Sequence, residues 1–144
     1  MRLKSTKRKQ GFTLVEILVA VAVLAIMFSV TLPVSYELFQ SYKNSLKAQE
    51  VLLYLASLKR ECFLYSEEKD ISSANGALVV NGEEKRFPDV YIEVKEPIKL
   101  FKNGTSNGGE VELKIGKERY KITVKAPFAE LSLERVKPSG EGTY

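Results

Sequence analysis

Glu16 is the residue in this chain whose position most needs a chemical explanation. It is the single ionisable group in the apolar run Phe12–Leu32, four residues past Phe12. The run is about 21 residues long, enough at ~1.5 Å per residue to cross a hydrocarbon core of roughly 30 Å. A carboxylate in low dielectric is tolerated when a cation pairs with it, so a charge here marks a site with a partner. Catalysis finds little support elsewhere. The chain has no histidine and one cysteine, Cys62, which rules out Ser-His-Asp and Cys-His chemistry and the usual zinc sites. Carboxylate pairs are the only remaining candidate, and nothing places two of them in one cleft. The glycine-rich stretch 103–109 is followed by no helix, so it lacks the N-terminus that a phosphate cradle needs. The expectation is a non-enzyme with no cofactor, no metal and no small-molecule substrate. Cys62 reads as a small buried hydrophobe, and one cysteine allows no disulfide within the chain.

Two ordinary readings of the apolar run fit poorly. A secretory signal peptide has a shorter apolar core followed by a small-x-small cleavage site, whereas Thr31-Leu32-Pro33-Val34-Ser35-Tyr36 follows here. A plain signal anchor has no use for Glu16. The segment Lys9-Gln10-Gly11-Phe12-Thr13-Leu14-Val15-Glu16-Ile17-Leu18-Val19-Ala20 resembles the N-terminal signature of type IV pilins and pseudopilins. Those proteins carry a short basic leader, a glycine at the cleavage site, then a phenylalanine and a glutamate four residues on.

The resemblance implies that a prepilin peptidase cuts after Gly11 and that the new N-terminus, Phe12, is N-methylated by the same enzyme. Glycine, lacking Cβ, suits a backbone that must enter a narrow cleft in extended form. The resemblance further implies that Glu16 pairs on assembly with the N-terminal amine of a neighbouring subunit and so sets the axial register. Pro33 stands where many such proteins carry a helix-bending proline, and its missing N–H predicts a kink or local melting near Ser29–Pro33. The implied partners are prepilin peptidase, other pilin or pseudopilin subunits, the inner-membrane assembly platform and the membrane.

The basic leader decides the charge balance. Arg2, Lys4, Lys7, Arg8 and Lys9 are five of the 22 basic residues, and the leader holds none of the 18 acidic ones. The remainder is one unit negative, which argues against strong capture of nucleic acid. The same leader predicts a cytoplasmic N-terminus with the C-terminal domain outside, by the positive-inside rule, and the resemblance implies a single-pass protein of the bacterial inner membrane.

The expected class is α+β, with a long N-terminal helix packed on a C-terminal antiparallel sheet. Residues 1–11 form the leader, 12–35 the transmembrane and assembly helix, and 36–144 the soluble domain. Within that domain the helix continues over 36–65, the sheet covers 77–136 and 137–144 is a tail. Leu38, Tyr42, Leu46, Leu53, Leu55, Leu58, Cys62 and Tyr65 recur at helical spacings and form the expected apolar face. Ser66–Gly76 is polar and reads as a connection. Asn81-Gly82 signals a hairpin between Ala77–Val80 and Glu83–Phe87. Further strands are expected at Val90–Lys95, Ile98–Lys102, Glu110–Ile115, Arg119–Lys125 and Ala129–Val136, with 103–109 as a hairpin connection.

The C-terminal half resembles H-type minor pseudopilins of type II secretion, in Leu100-Phe101, the glycine-rich loop, Glu110–Ile115 and Arg119–Val124. Ala126-Pro127-Phe128-Ala129 replaces the usual glycine-arginine turn. The resemblance implies a minor pseudopilin of a type II secretion filament. A minor type IV pilin of a pilus or competence DNA-uptake machine is the alternative. A basic stripe drawn from Lys95, Lys99, Lys102, Lys114, Arg119, Lys121 and Lys125 would favour that alternative and its nucleic-acid partner. A non-polymerising, membrane-anchored binding domain is the reading of another class.

Overall fold

The structure, a computed structural model, describes residues 13–137. It is α+β: one long N-terminal helix, then a C-terminal region of antiparallel strands. The chain divides into two compact units, Met1–Phe39 and Gln40–Tyr144. Helix α1 (Leu14–Tyr65, 52 residues) contributes to both.

In the first unit no residue of 14–39 is buried. This stretch contains a window of mean hydropathy 2.7, long and apolar enough to cross a membrane. Two of its hydroxyls bond back to the helix: Ser29 donates to the Ile26 carbonyl at 2.7 Å and Thr31 to the Met27 carbonyl at 2.8 Å. Such back-bonding lowers the cost of a hydroxyl in an apolar surrounding. Pro33 lies inside the helix. Of the kink or local melting expected near Ser29–Pro33, melting does not occur: the residues on both sides of the proline are helical. Proline removes one donor, and a single missing bond leaves the neighbouring ladder intact.

In the second unit, α1 buries Ala48, Val51, Leu55, Leu58 and Cys62. Their alternating spacing of three and four residues lines one face. The expected face is corrected here: Leu55, Leu58 and Cys62 are buried, but Leu38, Tyr42, Leu46, Leu53 and Tyr65 are exposed. Apolar residues occur on several sides of this helix, and a periodicity argument cannot choose between rival stripes. Only the strands decide which stripe is covered.

Two four-stranded sheets cover it. One has the order β3-β2-β1-β5, from β1 (Lys69–Ala74), β2 (Ala77–Val80), β3 (Glu83–Lys85) and β5 (Ile98–Leu100). The other has the order β4-β6-β7-β8, from β4 (Tyr91–Val94), β6 (Gly109–Ile115), β7 (Glu118–Lys125) and β8 (Glu130–Val136). The Ile92 N–H donates to the Gly76 carbonyl at 3.0 Å, and the Val94 N–H to Ser73 Oγ at 2.8 Å. These bonds join β4 of the second sheet to the β1–β2 hairpin of the first. The alternation expected in β6 and β7 holds, with Val111, Leu113, Ile115, Tyr120, Ile122 and Val124 all buried.

The expected connection Ser66–Gly76 contains β1, the strand that pairs with both β2 and β5. Its turn, Asn75-Gly76, has φ of 51° and 77°, a left-handed pair that suits a tight two-residue hairpin. A Cβ on Gly76 would lie 2.4 Å from Tyr91 Cδ2, so both the backbone angle and the packing require glycine. The loop 103–109 is also corrected. It is a crossover from β5 in one sheet to β6 in the other, not a hairpin. Strand β5 is taken by β1, and β6 already has β4 and β7 on its two sides.

A polar network fastens α1 to the second sheet. Glu118 accepts from Tyr120 Oη at 2.6 Å and from Arg135 Nη2 at 2.9 Å, and Arg135 Nη1 donates to Ser41 at 3.4 Å. Burial pushes the Glu118 carboxyl up. Hydrogen bonds from Tyr120, Ser41 and Asn44 and the Arg135 charge outweigh that, and hold it below its ordinary value of 4.5. The Tyr120 hydroxyl is pushed up to about 12 by burial and by Glu118. A depressed carboxyl stabilises the fold above its unfolded pKa and loses that contribution as pH falls through the folded one. Glu118→Gln should therefore lower unfolding free energy by about 1–2 kcal/mol at neutral pH. In a pH series of urea titrations the difference from wild type should shrink below pH 4.5. A difference that stays constant down to the lowest pH would refute the assignment.

Candidate functional site at the head of the helix

The first turn of α1 is closed by a reciprocal pair of bonds. The Thr13 N–H donates to Glu16 Oε2 at 3.3 Å, and the Glu16 N–H donates to Thr13 Oγ1 at 3.3 Å. The Thr13 carbonyl accepts the first helical bond, from the Ile17 N–H at 3.1 Å. Thr13 is thus the N-cap and Glu16 the third helical residue of a capping box. The negative carboxylate also faces the positive end of the helix dipole. The spacing Thr-x-x-Glu ahead of an apolar run was the available signal for Thr13, and the prominence of Glu16 as a membrane charge masked it.

Glu16 is surrounded by exposed apolar side chains: Leu14 is 76% exposed, Val15 66% and Leu18 61%. Among the described residues, the carboxylate accepts a bond at Oε2 only. Gly11 and Phe12, the expected processing residues, lie outside the described residues. Pro33 is far along the helix and makes no common site with Glu16. Among the described residues no group of acidic or cysteine side chains has metal-binding geometry.

The expected basic stripe is not a uniformly positive surface. Lys95 pairs with Glu112 at 2.9 Å, Lys121 with Glu110 at 2.8 Å and Lys99 with Glu68 at 3.5 Å. Lys114 lies over the Tyr91 ring, 5.6 Å from its centroid. Glu112 stands opposite both Glu93 and Lys121, and Lys125 opposite Glu130. Lys114 and Arg119 stand opposite each other as like charges, whereas opposite charges face each other at Glu112 and Lys121 and at Lys125 and Glu130. Such exposed opposite pairs add little stability, but they weaken the field that a polyanion would feel.

Residues 6–32 match the prokaryotic N-terminal methylation motif. The matched stretch holds Gly11, Phe12, Thr13 and Glu16 and runs to the end of the apolar segment. It supports a type IV pilin-like protein, a substrate of prepilin peptidase that assembles with other pilin subunits. The motif and the long apolar helix fit a membrane-anchored protein. Neither the curated proteins nor the solved structures provide a match to this chain.

Proposed function

We propose that the protein is a minor pseudopilin, a structural subunit of the short filament of a type II protein secretion system. In this reading prepilin peptidase cuts after Gly11 and methylates Phe12. The protein sits in the bacterial inner membrane with its N-terminus in the cytoplasm and its sheets outside. It does no catalysis of its own. The observation that carries the reading is the methylation motif at the head of an apolar helix whose one charge is Glu16. Leu38, Tyr42, Leu46 and Leu53 lie exposed along α1, which supports packing of this helix among other subunits. The pairing of Lys95 and Lys121 with glutamates favours secretion over DNA uptake.

Mass spectrometry of the N-terminal peptide, from protein made with its own prepilin peptidase, is the direct test. The expected chain begins at N-methyl-Phe12, and an intact Met1 start would overturn the proposal. Gly11→Val should leave the leader attached in nearly all molecules, because a branched side chain cannot follow glycine into a tight cleft. Cleavage of this variant at the normal rate would remove the steric argument. Deleting the gene should stop secretion of folded proteins and spare DNA uptake. The reverse outcome would assign the chain to a competence machine.

A further inference from the structure

A groove of about 300 Å³ opens between α1 and the 103–104 turn. Its helix wall is Ala56, Lys59, Arg60 and Phe63, and its other wall is Asn103 and Gly104. Spacings of three, four and seven residues put the four helix residues on one stripe. Lys102 precedes the turn in sequence. The turn is built before any ligand arrives. The Phe101 N–H donates to the Thr105 carbonyl at 2.8 Å and the Gly104 N–H to the Phe101 carbonyl at 3.0 Å. Asn103 Oδ1 accepts from the Thr105 N–H at 3.2 Å and from its hydroxyl at 2.6 Å.

The cations of this groove belong to the set that has no carboxylate partner among the described residues, a set that also includes Arg119 and Lys125 on the second sheet and Lys117 in its β6–β7 turn. Elsewhere Lys47, Lys69, Arg86, Lys95, Lys99, Lys121 and Arg135 each have a carboxylate partner. Lys59, Arg60 and Lys102 have neither an ion pair nor a ring beneath them among the described residues. Two nearby acids are already engaged, Glu61 with Lys69 and Glu68 with Lys99. Beside these free cations Phe63 is 65% exposed. Unpaired cations next to an exposed aromatic ring make a surface that lacks its complement.

We propose that this groove is a docking site for an acidic segment of a partner protein. The segment presents carboxylates to Lys59 and Arg60 and an apolar side chain to Phe63. Arg60 offers a planar fork for bidentate carboxylate binding. A nucleic acid fits less well, because Lys95, Lys99 and Lys121 are each paired with a glutamate and interrupt any continuous track for a phosphate backbone. The inference does not depend on cleavage after Gly11.

The test uses the full-length chain in detergent micelles and a fluorescein-labelled peptide of alternating glutamate and phenylalanine, followed by anisotropy. Binding should weaken as salt is raised. Arg60→Glu and Lys59→Glu should each reduce affinity by about tenfold or more. Phe63→Ser should also weaken it. Lys125→Glu, a charge reversal on the sheet, should leave it unchanged. Arg60→Gln gives a milder change at the same exposed position, and circular dichroism should show every variant folded. The proposal fails if the Arg60 variants bind the peptide as wild type does, or if a glutamine-for-glutamate peptide binds equally well. It also fails if duplex DNA binds more tightly than the peptide and loses affinity with the same variants.

Discussion

Glu16→Ala should all but eliminate incorporation into filaments while leaving the sheet domain folded. The structure gives Glu16 one task and the proposed filament gives it a second, and the two can be separated. In the isolated chain it completes the capping box with Thr13. In the proposed filament it pairs with the amine of a neighbour, using a carboxylate surrounded by apolar side chains. Breaking a pair in such surroundings costs about 3–5 kcal/mol, more than a hundredfold in the assembly equilibrium. Losing a cap alone costs about 0.5–2 kcal/mol. Glu16→Gln separates the two, since glutamine can still close a capping box but carries no charge. Crosslinking of subunits in membranes should show Glu16→Gln as defective as Glu16→Ala. Normal assembly of the glutamine variant would reduce Glu16 to a helix cap. Thermal unfolding of the domain should be the same in all three proteins, because Glu16 lies in the other unit.

Ile71→Ala should destabilise the sheet domain by about 2–5 kcal/mol, a large part of the ~5–15 kcal/mol typical of a domain. Ile71 is 1% exposed and is the only large apolar residue of β1. It stands opposite Val80 on one side and Ile98 on the other. Truncating it leaves a cavity at the centre of the first sheet. Urea unfolding in detergent should show a lower midpoint with an unchanged slope. Ser72→Ala, on the same strand, should be nearly neutral. A midpoint unchanged by Ile71→Ala would mean that β1 is not part of the cooperative fold.

The sequence by itself determined the features that are local. An unbroken apolar run with one charge specifies a membrane-length helix with a site at Glu16, and this needs no knowledge of distant residues. Strict alternation in β6 and β7 likewise identified their buried faces. Asn81-Gly82 marked a two-residue turn, because few residues tolerate positive φ. The second Asn-Gly turn, at 75–76, carried the same signal inside a stretch whose polar composition hid it.

Tertiary structure decided what depends on partners far along the chain. Lys69–Ala74 is a strand because β2 and β5 supply backbone bonds on both sides, not because its residues favour one. Which stripe of α1 is buried was settled by the sheets that meet it. The crossover at 103–109 followed from the pairing of β5 with β1. The pairing of Lys95 with Glu112 and of Lys121 with Glu110 depends on which strands are neighbours. Charge composition cannot hold that information, since the same residues in another register would make a basic stripe.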